Sequence, residues 1–205
     1  GDVQWMTAGR GIIHSELPHP GFYDAGGVMH GFQIWVNLPA KHKMMAPRYQ
    51  EIPEADSPTV ERDGVWARVI AGECLGVTSS IDTVIPISLI HVKMEEGAVL
   101  NQTIASGLNG MIYVFSGSIR VNDQLSVRKQ PMPFGIGIKQ QVSDGELALL
   151  SDGETVEITC DSPCDLLILA GPEIDEPIAR YGPFVMNTRE EIHQAVIDYQ
   201  NGTFA

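Results

Sequence analysis

Residues 1–16 read Gly-Asp-Val-Gln-Trp-Met-Thr-Ala-Gly-Arg-Gly-Ile-Ile-His14-Ser-Glu16, and this stretch governs how the rest of the chain is read. Gly1-Asp2 opens a turn into a short strand, Val3-Gln4-Trp5-Met6. Gly9-Arg10-Gly11 makes a second turn, since Gly reaches backbone shapes that other residues resist. The pattern then predicts a strand over residues 12–16. On a strand, residues two apart face the same way, with Cα atoms about 6.5–7 Å apart. His14 and Glu16 can therefore converge on one point between their tips. An imidazole nitrogen beside a carboxylate oxygen suits a divalent first-row metal, and the lack of a thiol disfavours a structural zinc site. Taken alone, His-x-Glu is also what an ordinary surface strand carries, and two ligands do not make a tight site.

Moving outward, residues 19–29 form a loop rich in Gly and Pro. Residues 31–38, Gly-Phe-Gln-Ile-Trp-Val-Asn-Leu, predict a strand because aromatic and β-branched residues dominate. Gln33 alternates with Phe32 and Ile34. If its side faces the interior, the amide can support Glu16 or a substrate oxygen; a polar residue on the solvent side fits the same alternation. Arg10 either lines the mouth of the pocket or is a solvated turn residue. Residues 39–64 hold Pro39, Pro47, Pro53 and Pro58 among frequent charges and read as an extended connector.

Residues 65–172 read as a second β region, with strands over 65–71, 85–94, 110–122, 146–150, 155–159 and 165–170. Ser116-Gly117, Asp144-Gly145 and Asp152-Gly153 are the turn signals. Many short strands at this spacing point to a sandwich or barrel. One helix closes the chain. Thr188 and Glu191 form a capping box, Ile192, Ala195, Val196 and Tyr199 make one apolar stripe, and Gly202 stops it. About 14 residues are marginal as a lone helix, so it should pack on a barrel. The expected division is 1–38, 39–64, 65–187 and 188–205.

Composition narrows the function classes. Acidic residues outnumber Lys and Arg by 26 to 13, a net charge of -13, which argues against nucleic acid and anionic lipid and leaves a basic protein partner open. No apolar run approaches the roughly 20 residues of a membrane-spanning helix. Cys74 reads as core packing. Cys160 and Cys164, flanking Asp-Ser-Pro, can face each other across a hairpin, though two reduced thiols in a reducing compartment is the plainer reading. No secretion signal is visible and the true N-terminus is not seen; a cytoplasmic or nuclear location is the expectation.

The stretch 1–16 closely resembles the segment that pirins carry around their second pair of metal ligands. Further matches follow in order: His30-Gly-Phe-Gln-Ile-Trp-Val-Asn-Leu-Pro39, then Pro47-Arg-Tyr-Gln-Glu51, then Tyr181-Gly-Pro-Phe-Val-Met-Asn-Thr188. The general cupin pattern has Pro where Thr7 stands and its His two residues before His14. That departure is shared with pirins and supports the narrower assignment.

The resemblance implies an all-β protein of two cupin, jelly-roll-like barrels with a C-terminal helix. It implies one non-haem iron, Fe(II) or Fe(III), in the N-terminal barrel, held by three His and one Glu, with other divalent metals possible. His14 and Glu16 match the last His and the Glu; the first two His, in an H-x-H motif, are expected upstream of residue 1, so the chain reads as an N-terminal truncation whose isolated form binds iron weakly. In the second barrel, where a cupin places H-x-H, the chain reads Gly97-Ala-Val-Leu-Asn-Gln102, and no metal is expected there. His91 is expected on a packed strand face, and His19, His30, His42 and His193 in loops or at the surface. Two functions follow: a quercetin 2,3-dioxygenase acting on a flavonol-like substrate, with Glu16 as general base, or an iron-dependent co-regulator binding a transcription factor. A monomer is implied.

Overall fold

The computed structural model describes residues 1–122, 140–151 and 153–205. In chain order the elements are β1 (Val3–Thr7), α1 (Pro20–Ala25), α2 (Ala40–Lys43), β2 (Arg48–Ile52), a 3-10 turn (Glu54–Asp56), β3 (Thr59–Arg62), β4 (Val65–Ala71), β5 (Glu73–Cys74), β6 (Val77–Thr78), β7 (Ser88–Met94), β8 (Val99–Thr103), β9 (Leu108–Asn122), β10 (Gln141–Ser143), β11 (Leu147–Leu149), β12 (Thr155–Pro172), β13 (Ala179–Tyr181), β14 (Phe184–Met186) and α3 (Arg189–Asn201). They fall into two units: Gly1–Trp5 with Gln50–Glu173, and Met6–Tyr49 with Ile174–Ala205. No helix among the described residues is long and apolar enough to cross a membrane.

The first unit is built on one sheet of order β10-β9-β12-β7-β4-β3, with β11 also on β9 and β8 also on β12. Alternation sorts its side chains. Val65, Ala67 and Val69 of β4, Ile90 and Val92 of β7, Ile112 and Val114 of β9, and Leu166 and Ile168 of β12 share one buried face, each no more than 1% exposed. Trp66, His91, Lys93 and Tyr113 occupy the intervening positions. The β residues expected at these places thus form strands that bury one face against a common core. Residues 155–159 and 165–170, expected as two strands, are one irregular strand, β12. The Ser116-Gly117 signal lies inside β9 rather than between strands. Asp144-Gly145 is a turn as expected, and Asp152 lies outside the described residues.

Between residues 12 and 64, three expectations are corrected. Residues 12–16 and 31–38 carry no regular element. Aromatic and β-branched residues suit a pleated surface, but a strand exists only where a neighbour takes up its N–H and C=O groups, and none of the described residues pairs there. The loop 19–29 contains α1, which begins on Pro20, with His19 Nδ1 accepting a hydrogen bond from Gly21 N–H at 3.1 Å. The stretch 39–64 is not element-free: α2, β2, the 3-10 turn and β3 each start one residue after Pro39, Pro47, Pro53 and Pro58. Proline lacks the N–H that an element's interior needs, so it stands at the threshold instead of interrupting.

α3 follows the expectation closely. Thr188 Oγ1 accepts from Glu191 N–H at 3.2 Å, Glu191 Oε2 accepts from Thr188 N–H at 2.8 Å, and Gly202 ends the helix in the left-handed region at φ 71°. It packs against the β13–β14 hairpin, where Phe184, Tyr199 and Phe204 meet edge to face at 5.3–6.3 Å.

Candidate metal centre

The segment 12–16 is not a strand, but it still brings its two chemical groups together. His14 Nε2 lies 3.6 Å from Glu16 Oε1. Gln33, seventeen residues on, donates its Nε2 amide to both oxygens of the Glu16 carboxylate, at 3.2 and 3.3 Å. The amide uses one edge of the carboxylate and leaves its other lone pairs to face the imidazole. Side-chain exposure of 33% for His14 and 56% for Glu16 leaves both open to a solute. Arg10 is an exposed turn residue, and its backbone N–H donates to Met45 O at 2.9 Å.

Metal bonds of about 2.0–2.2 Å to nitrogen and oxygen reach across as much as roughly 4 Å, so a first-row divalent ion fits between groups 3.6 Å apart. Among the described residues, no group of three or more His, Cys, Asp or Glu side chains converges. His14 and Glu16 are thus a neighbouring imidazole and carboxylate, with the Gln33 amide holding the carboxylate.

The first unit carries other polar arrangements. Gln102, at the position compared with a cupin H-x-H motif, is 3% exposed and donates to the carbonyls of Glu73 and Thr103, both at 2.9 Å. His91 sits half-buried on the sheet's outer face, with Nε2 3.0 Å from Asp165 Oδ1 and the Trp66 ring 5.3 Å away edge to face. Burial holds the imidazole below its ordinary value despite the opposing pull of the Asp165 carboxylate. The sequence placed His91 on a packed face but gave no sign of Asp165, which stands 74 positions away. An open cavity of about 430 Å³ lies here, bounded in part by Trp66, Lys93, Ser116, Cys164 and Asp165.

An antiparallel sheet that buries one face in a filled interior, with few helices, is the architecture of an all-β protein of the cupin class. The chain belongs to the pirin family: residues 1–36 match the pirin model, and residues 89–205 match the pirin C-terminal cupin domain. His14, Glu16 and Gln33 all fall within the first match. A pirin of Mus musculus is 37% identical over 98% of this chain and 64% of its own length. A pirin-like protein of Solanum lycopersicum is 38% identical with the same coverage of both chains. The chain thus spans slightly under two thirds of these relatives. The crystal structure of a quercetin 2,3-dioxygenase from Acinetobacter baumannii superposes with a TM-score of 0.87 at 34% identity, covering 100% of this chain and 67% of the other.

Proposed function

We propose that the protein is a non-haem iron oxygenase of the quercetin 2,3-dioxygenase type, with His14 and Glu16 as two of the iron's ligands and the remaining ligands outside these 205 residues. The observation that carries this reading is the triad of His14, Glu16 and Gln33, in which one amide holds a carboxylate facing an imidazole. Both ligand groups are of the kind that iron and other divalent first-row metals accept. The bound metal would supply open positions for a flavonol hydroxyl and dioxygen.

The chain's own residues set up the chemistry around that position. His14 presents Nε2 toward the carboxylate. Gln33 fixes the rotation of the Glu16 carboxylate by donating to both oxygens, which keeps one lone pair directed at the metal position and the other available. Glu16 is then the group placed to take a proton from a substrate hydroxyl, provided one oxygen frees itself as the proton arrives.

The test is oxygen uptake with quercetin by iron-loaded protein carrying its native upstream sequence, beside Glu16→Ala. Removing a metal ligand should lower turnover at least tenfold and lower bound iron in parallel. Iron-loaded protein that binds metal through His14 and Glu16 yet consumes no oxygen would replace this reading with a binding role. In that role a basic surface on a transcription factor would suit the net charge of -13.

A further inference from the structure

Cys160 and Cys164 take no part in the candidate metal centre, yet their sulfurs stand 3.5 Å apart. The intervening sequence is Asp161-Ser162-Pro163. In a regular strand, residues four apart share a face but lie about 13 Å apart along the chain, too far for thiols to touch. β12 closes that distance by breaking its ladder. Its register on β9 shifts between Cys160 and Ser162, and again between Ser162 and Asp165. Gly117 of β9 faces the irregularity at φ +76°, where a Cβ would collide with the Pro163 carbonyl and the Cys164 Cα. The flanks are pinned. Gly97 N–H donates to Cys160 O and Cys160 N–H to Ala98 O, both at 2.9 Å, while Cys164 pairs in register with Met94 of β7.

Both residues are buried, at 2% and 4% exposed. However, Cys164 lines the open cavity beside Trp66 and Lys93. Cys164 thus stands at the boundary between that cavity and the buried core, with Cys160 directly beside it. Burial also separates reactant from product. It penalises a thiolate, pushing Cys164 up to about 12 and holding Cys160 above its usual value. A disulfide is uncharged and suffers no such penalty.

We propose that Cys160 and Cys164 are a modification site that a small hydroperoxide, entering by the cavity, converts into a buried disulfide. The ionised Cys164 sulfur attacks a peroxide oxygen. The O–O bond breaks, the leaving oxygen takes a proton, and Cys164 becomes a sulfenic acid. The Cys160 sulfur then attacks that sulfur, the S–S bond forms, the S–O bond breaks, and water leaves with the Cys160 proton. Two thiols lose two electrons in all, and the peroxide gains them. Closure requires the sulfurs to move from 3.5 Å to about 2.05 Å, a shift confined to the irregular part of β12. Since little thiolate is present near neutrality, the reaction is slow, and its product is well protected from reductant.

Folded protein is exposed to hydrogen peroxide at pH 7 and at pH 9, unfolded in excess alkylating agent, digested and weighed. The expected product is a peptide in which Cys160 and Cys164 are joined and unalkylated, while Cys74 is alkylated in full. Each pH unit raises the thiolate share about tenfold, so closure should be on the order of a hundredfold faster at the higher pH. Cys160→Ser should leave Cys164 as a sulfenic acid that dimedone traps, whereas Cys164→Ser should protect Cys160. Full alkylation of both cysteines after treatment at pH 9, or oxidation of Cys74 ahead of the pair, overturns the proposal without relying on any variant.

Discussion

The two units hold their chains in place by different means. In the first, the ladders of β4, β7, β9 and β12 align isoleucines, valines and leucines into one interior, where Ile90, Leu100, Ile112, Ile119, Ile158, Leu166 and Ile168 are all fully buried. In the second, the described residues leave several large apolar side chains uncovered by one another, among them Leu17 at 83%, Val28 at 90% and Trp35 at 54% exposed. Beside the aromatic packing of α3 on its hairpin, that unit relies on named polar contacts. Lys43, only 6% exposed, donates from Nζ to Asn37 Oδ1 at 2.6 Å and to Leu38 O at 2.9 Å. Glu176 Oε2 accepts from Ala40 N–H at 2.6 Å and from the Asn187 amide at 3.1 Å. Arg180 lies over the Trp35 ring at 4.9 Å. Burial of apolar area scales with surface removed from water, whereas each hydrogen bond has a modest net worth and a large cost when broken. The difference therefore predicts that the first unit loses most when a packed side chain is truncated, and the second when one of a few named polar groups is removed. The candidate metal pair sits in the second kind of structure, where local opening is cheaper.

That contrast can be broken by measurement. The largest effect is expected from Ile168→Ala, which leaves a cavity in the first unit's core and should cost about 2–5 kcal/mol in urea unfolding. Lys43→Ala should cost about 1–3 kcal/mol, because Asn37 Oδ1 and Leu38 O are left without their donor. Amide hydrogen exchange should report that loss around residues 37–43 and leave β7 and β12 protected; equal deprotection of both would show that the units share one source of stability. Thr188→Ala removes one half of the capping box and should cost about 1 kcal/mol, seen as faster exchange in the first turn of α3.

The smallest effect sharpens the account of the first unit's outer face. The His91 imidazole is held below its ordinary value of 6.5. As pH falls through 6.5, the unfolded chain takes up a proton before the folded one does, so stability should decline with falling pH below that value. His91→Gln should flatten this part of the profile. A profile unchanged by the substitution would place the pH dependence elsewhere.

Periodicity and capping made much of the first unit and of α3 readable in advance. Strand alternation across β4, β7 and β9 reports burial on one side, and Thr188, Glu191 and Gly202 fix the ends of α3 through bonds made within a few residues. Segments whose structure depends on a distant neighbour were misread. Residues 31–38 carry every local mark of a strand but have no pairing segment among the described residues, and the prolines of 39–64 were read as breaks when each precedes an element. The two halves of β12 looked separate because the Cys160–Asp165 irregularity interrupts a pattern that β9 and β7 carry through.

By itself, the sequence placed His14 and Glu16 two residues apart and named the chemistry such a pair suits, because ligand type and spacing are properties of neighbouring residues. Only the tertiary structure decided that Gln33 reaches that carboxylate, that Asp165 meets His91, and that Cys160 lies beside Cys164. Each of those contacts depends on where the backbone returns, and short-range preferences carry no record of the path it takes.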